Sequence, residues 1–214
     1  MDVVGGEECS GVQEEAAAAQ QSFSWAPSVS TDPVWALLQQ AIKLKAEGKA
    51  FYQDKKIRSS ISRYHHALLI IRSLDADVMT YVKQFGPERP ALTPEQYELL
   101  RNTQVDCYNN LAACLLQKKD VDYARVRDYS LRVLQWRPGD VKALYRAGVA
   151  TLELGDAETA KKHLTQACRE HPNDANVKKH LQRAEEKLSQ ELEKEKAMYK
   201  GMFSSTVKST SGED

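Results

Sequence analysis

Residues Val141–Pro172 read VKALYRAGVATLELGDAETAKKHLTQACREHP. Small residues stand at Ala147, Gly148, Ala160 and Ala167, and larger apolar ones at Leu144, Val149, Leu152 and Leu164. Both sets recur at helical spacing, so the stretch predicts two amphipathic helices packed closely against each other. Gly155-Asp156 separates them: Gly tolerates the left-handed conformation that ends one helix, and Asp caps the next. Pro172 closes the unit, and Pro138 lies thirty-four residues before it.

A helix–turn–helix of that period, with small residues at the crossing points and a closing Pro, resembles the tetratricopeptide (TPR) repeat. Two further units fit around it. LKAEGKAFYQDKKIRSSISRYHHALLII resembles a first repeat, with Gly48 at the close contact and Tyr64 and Ala67 at the large and small packing positions of its second helix. Asp32-Pro33 reads as its helical start, followed by an apolar stripe of Trp35, Leu38, Ile42 and Phe51, with Ala41 and Leu44 off phase. The second helix keeps its period through Ile57, Ile61, Leu68 and Ile71 and on to Val78 and Val82, until Gly86-Pro87 and Pro90 break it. Thr93-Pro94-Glu95-Gln96 then reads as a capping box that opens the second repeat. In the partner of that helix, DYARVRDYSLRVLQWRP, the expected small residue falls at Ala124 or Val126, depending on the gap.

The expected fold is therefore all-α: three TPR helix pairs in a right-handed solenoid with a long C-terminal capping helix. Residues 1–30 form a disordered acidic tail, and 32–203 the TPR domain with a long insertion at about 72–95. The capping helix covers 173–203, with Val177, Leu181, Ala184, Leu188 and Leu192 at helical spacing, and 204–214 is a disordered tail.

Composition excludes several classes. The chain has 214 residues, of which 42% are hydrophobic and 28% charged, enough to bury one core. Ten Gly and seven Pro are too few for an all-β fold. No apolar run reaches membrane-spanning length, and the acidic start is unlike a signal or transit peptide, so a cytoplasmic protein is expected. The four Cys lack any C-x-x-C pair and read as reduced thiols, mainly core fillers. His65, His66, His163, His171 and His180 fit no zinc spacing. No nucleotide loop, nucleophile elbow or cofactor motif is present, so neither an enzyme nor a cofactor is expected. The net charge of zero hides an asymmetry. Residues 1–42 hold six acids and no Lys or Arg, leaving 24 acids against 30 bases, or +6, for the rest. Those bases alternate with acids and lack interleaved aromatics, which argues against nucleic acid.

Lys45 and Lys49 lie four apart on the first helix of repeat one, and Lys142 and Arg146 four apart on that of repeat three. Each pair shares a helix face. Together with Asn110 on the intervening helix, they predict a basic groove suited to a carboxylate.

This layout is similar to carboxylate-clamp TPR domains, which hold the C-terminal Glu-Glu-Val-Asp of Hsp90 and Hsp70. The resemblance implies clamp roles for Lys45, three residues before Gly48, for Asn110, two before Ala112, and for Lys142-Ala-Leu-Tyr-Arg146. It departs at Lys49, where the family has Asn: a Lys either replaces the neutral hydrogen bond with a charge-assisted one or crowds the pocket. Tyr52, one turn on, packs against either the peptide or the core. The arrangement resembles the TPR halves of large immunophilins and the aryl-hydrocarbon-receptor-interacting protein, sharing NLAxC at Asn110–Cys114 and an ending near Tyr199–Phe203. Without an isomerase domain, it is most similar to the short, stand-alone tetratricopeptide repeat protein 9 family, over about Trp35 to Phe203. The resemblance implies an adaptor or co-chaperone that binds the C-terminal tail of Hsp90 or Hsp70. The alternative reading is a scaffold for a helical or cytoskeletal partner, with no clamp.

Overall fold

A computed structural model describes residues 32–74 and 92–209, the last nine by backbone alone. The N-terminal tail, the reading of Val78 and Val82, most of the expected insertion and residues 210–214 lie outside the described residues. Those described form seven helices and no strand. They are α1 (Pro33–Gln53), α2 (Ile57–Leu74), α3 (Pro94–Leu116), α4 (Tyr123–Trp136), α5 (Val141–Glu153), α6 (Ala157–Glu170) and α7 (Ala175–Ser209). Three antiparallel TPR pairs stack as a right-handed solenoid, α1 with α2, α3 with α4 and α5 with α6, and α7 packs on the last. The first helices form one row, α3 lying between α1 and α5.

Local chemistry sets the boundaries. Asp32 caps α1 by accepting from the Val34 amide at 2.9 Å, and Pro33 fills the first turn, where no amide is needed. Thr93 and Gln96 close the expected capping box reciprocally. The Gln96 amide also donates to Asp32 Oδ2 at 2.7 Å, tying the starts of α1 and α3 together. Asp140 and Asp156 cap α5 and α6. Gly155 adopts φ 101° at the α5–α6 turn, as its position demands. The equivalent turn of repeat one holds Lys55 at φ 61°, a non-glycine in left-handed geometry.

Helix pairs close on glycine. A Cβ on Gly48 would stand 2.8 Å from Tyr64 Cε1, and one on Gly148 would stand 2.6 Å from Leu164 Cγ. Each small residue thus makes room for the large one on the opposite helix, and Tyr64 and Leu164 are fully buried. By register, repeat two has Ala112 and Ser130 at these positions, so volume lost on α4 matches a methyl gained on α3. Val126, not Ala124, is the buried early residue of α4; Ala124 is exposed because α4 starts at Tyr123, after an Asp122 cap.

The α1 stripe differs from expectation except at Leu38. Val34, Leu38, Ala41 and Gly48 are its buried positions, while Trp35, Ile42 and Phe51 are half-buried. Phe51 lies beside cations, with the Arg63 guanidinium 6.0 Å from its ring centre. Helix α1 packs on α2 and α3 at once, so two neighbours choose its buried face. The last helix is a 35-residue element that buries Val177 and Ala184 against repeat three. Of the cysteines described, Cys107 and Cys114 are buried and free, and Cys168 is half-buried and free. No described helix is long and apolar enough to cross a membrane.

Candidate functional site

The row of first helices carries all six residues singled out from the sequence. Lys45 projects from α1 to α3, where its ammonium meets Asp106 Oδ2 at 2.7 Å. The side chains are 26% and 48% exposed, so the pair sits at the solvent boundary, open to a competing anion. Arg146 projects from α5 to the same stretch of α3 and donates to Asn109 Oδ1 at 3.1 Å. The Asn109 amide in turn donates to Asp140 Oδ2 at 3.1 Å, so the α5 cap carboxylate completes a polar chain. Burial lowers the Arg146 guanidinium from its usual range, and Asp140, Tyr52, Cys114 and Tyr145 act in the opposite sense.

Asp106, Asn109 and Asn110 stand at i, i+3 and i+4, one face of one turn. Cations from the first and third repeats therefore converge on a single turn of the second. Asn110 is half-buried beside this chain, but the amide that bonds Arg146 is its neighbour Asn109. Lys49 and Lys142 are exposed and have no ion-pair partner among the described residues. Tyr52 is half-buried, its hydroxyl accepting from Gln117 Nε2 at 2.6 Å, which ties the ends of α1 and α3.

Asp106, Asn109 and Asp140 were not anticipated as parts of this surface. One signal was legible: Asp106 lies four residues before Asn110 and so had to share its face. The other bonds join residues 31 to 61 positions apart and leave no local trace.

Beyond this row, α2, α3 and α4 line a half-open surface cavity of about 210 Å³, formed by His65, Leu68, Leu69, Arg72, Tyr108 and Tyr129. His65 meets the Tyr129 ring edge-on at 6.2 Å, and burial lowers its pKa. His180 lies against Tyr145, edge to face at 5.4 Å. No group of three His, Cys, Asp or Glu among the described residues is placed to hold a metal ion.

No protein-family model matches the chain. Tetratricopeptide repeat protein 9C of Xenopus tropicalis is 45% identical over 166 residues, spanning 78% of this chain and 93% of the relative. The chain belongs to the tetratricopeptide repeat protein 9 family. Among solved structures, this family member resembles the C-terminal TPR-containing domain of a Plasmodium falciparum FK506-binding protein, with TM-score 0.61 and 26% identity over 75% of this chain and 95% of that one. It also shares its fold with the first TPR domain of Spaghetti (RPAP3), a structure bound to the Hsp90 peptide SRMEEVD. That match has TM-score 0.51 and 17% identity, over 71% of this chain and 94% of the other. The TPR solenoid is a protein-interaction fold, and neighbours of this family member include domains that bind Hsp90 peptides.

Proposed function

We propose that the chain is a non-enzymatic, cytoplasmic adaptor of co-chaperone type, whose row of first helices binds an acidic C-terminal peptide of the Hsp90 or Hsp70 kind. The observation that carries this reading is the convergence of Lys45 and Arg146 on one turn of α3, beside Asn110, with Lys49 and Lys142 exposed at the margins. Arg146, fixed by Asn109, offers a preorganised fork for a carboxylate. Lys142 and Lys49 add charge from the two flanks, and Lys49 stands in for a neutral amide. The peptide's carboxylate takes Lys45 in competition with Asp106.

Calorimetry with a peptide ending in Met-Glu-Glu-Val-Asp, and with its C-terminal amide, tests the reading. The free acid binds, the amide binds weakly, and Lys142→Ala costs about 1–3 kcal/mol, the range for a hydrogen bond to a charged group. Because Lys142 is exposed and has no ion-pair partner among the described residues, its loss leaves the fold intact. Equal affinity for acid and amide, or no effect of Lys142→Ala, refutes the clamp.

The partial neutralisation of Lys45 by Asp106 favours a second reading, in which these cations are structural and the chain is a scaffold for a helical or cytoskeletal partner. Partner capture that free acidic peptide does not block supports that alternative.

A further inference from the structure

Helices α2 and α4, the second helices of repeats one and two, both pack on α3, and the half-open cavity of about 210 Å³ lies where the three meet. Its wall on α2 is His65, Leu68, Leu69 and Arg72, at i, i+3, i+4 and i+7, one continuous helix face. Tyr108 of α3 and Tyr129 of α4 complete it. Tyr108 is two residues from both Asp106 and Asn110, so at about 3.6 residues per turn it leaves α3 on the side away from the turn that meets Lys45. The cavity is therefore separate from the row of first-helix cations.

Its size selects a single side chain. An enclosed apolar cavity of about 150 Å³ holds benzene, whereas drug-sized ligands need about 300 Å³ or more. A space of about 210 Å³ takes one ring and little else. Its wall selects an aromatic ring. The Tyr108 and Tyr129 rings stand 5.6 Å apart at 44°, and His65 meets Tyr129 edge-on at 6.2 Å. Burial first, then Arg125, Arg72 and His66, lower the His65 pKa from 6.5, so at neutral pH its imidazole is an uncharged ring. An incoming ring finds faces and edges at the tilted geometry that aromatic pairs favour. Leu69 is 61% exposed, more than any other large hydrophobic residue described in the three repeats.

Charge selects what stands beside the ring. Helix α2 carries Arg58, Arg63 and Arg72 and not one Asp or Glu, and α4 carries three Arg against Asp128 alone. Arg63 pairs with Glu47, Arg125 with Asp122 and Arg127 with Asp128. Arg72, on the cavity wall, is exposed and has no ion-pair partner among the described residues. A guanidinium so placed matches a carboxylate through two parallel hydrogen bonds.

We propose that this cavity is a second peptide site, which takes one aromatic side chain of a partner protein and seats the carboxylate of an adjacent Asp or Glu on Arg72. It is independent of the first-helix row, so a partner held here leaves that row open. A contact of one ring and one ion pair is weak, on the order of 1 mM for an isolated dipeptide.

Titration of acetyl-Phe-Asp-amide into the full chain, followed by NMR, tests this. Its blocked ends offer no free C-terminal carboxylate, so the result does not depend on the first-helix row. The His65 ring and the Leu68 and Leu69 methyl resonances shift and saturate in the millimolar range. Acetyl-Phe-Asn-amide and acetyl-Ala-Asp-amide, which lack the charge and the ring in turn, bind about fivefold more weakly. In Arg72→Gln, at an exposed position, the Phe-Asp peptide falls to the level of the Phe-Asn peptide, whose own affinity is unchanged. Equal affinity for the three peptides overturns the proposal, as does an Arg72→Gln chain that still prefers Asp. A cavity already filled by the chain's own residues or by a second copy gives no shift at His65 or Leu69, and overturns it too.

Discussion

Replacing Asp106 by Asn removes one charge from the turn where the two repeats converge and keeps the side chain's shape. Lys45 and Asp106 are in contact at 2.7 Å but partly solvated, and ion pairs of that kind stabilise a fold by about 0.2–1 kcal/mol. The expected loss of stability is therefore small. The effect on an incoming carboxylate is larger and opposite in sign. An anion seated on Lys45 and Arg146 lies roughly 4 Å from Asp106, where like charges repel by about 1 kcal/mol in water-like surroundings and more in a lower dielectric. Asp106→Asn also frees Lys45 from its internal partner. Binding of an acidic C-terminal peptide should therefore tighten by about 1–2 kcal/mol, roughly 5- to 30-fold. Isothermal titration calorimetry at two ionic strengths reads this directly. The gain should shrink with salt, because the pair is solvent-accessible. Unchanged or weaker binding by Asp106→Asn would refute the idea that the α3 carboxylate competes with the guest.

The two left-handed turns and the two glycine contacts give opposite expectations for stability. Gly148→Ala should destabilise by about 1–2 kcal/mol in urea unfolding, because overpacking against Leu164 exceeds the helix-propensity gain of losing a glycine. Lys55→Gly should stabilise by about 0.5–1 kcal/mol, relieving a left-handed side chain at an exposed turn. Alkaline pH should destabilise the fold. Burial pushes the Cys107 thiol from 9.0 up to about 12 and the Tyr64 hydroxyl from 10.0 up to about 12, so the unfolded chain releases these protons first. Stability is fully present below about pH 9 and falls as pH rises toward about 12, which urea midpoints across that window will show; Cys107→Ala should flatten the fall.

The third repeat was legible almost to the residue because its determinants are local. Gly148 faces Leu164 sixteen positions on, Gly155 turns the chain, and Asp156 caps the next helix, all inside one thirty-two-residue stretch. Asp32 and the Thr93–Gln96 box were legible for the same reason. Where a helix has neighbours on two sides, periodicity misled. On α1 Trp35, Ile42 and Phe51 looked like core along with Leu38, but of that stripe only Leu38 is fully buried, and the smaller Val34 and Ala41 join it between α2 and α3. In the site, the cations were readable from their four-residue spacing and their family resemblance. Apart from the place of Asp106 one turn before Asn110, their partners were not, since Asn109 and Asp140 matter only once distant helices meet. The choice of Asn109 over Asn110 for Arg146 follows from which amide faces α5, a matter of a single residue's rotation about the α3 axis.

The bonds that Lys45 and Arg146 make with α3 couple the first repeat to the third as well as shape a surface. A superhelix of stacked pairs flexes like a spring, since each pair touches only its neighbours. Here the first coil and the third both grip the same turn of the second. A guest that engages both cations would bridge coils separated by a hundred residues of chain and act as a strut across the spring's inner side. Its arrival would be felt as stiffness in repeats it never touches, and amide exchange along α1 and α5 would slow together.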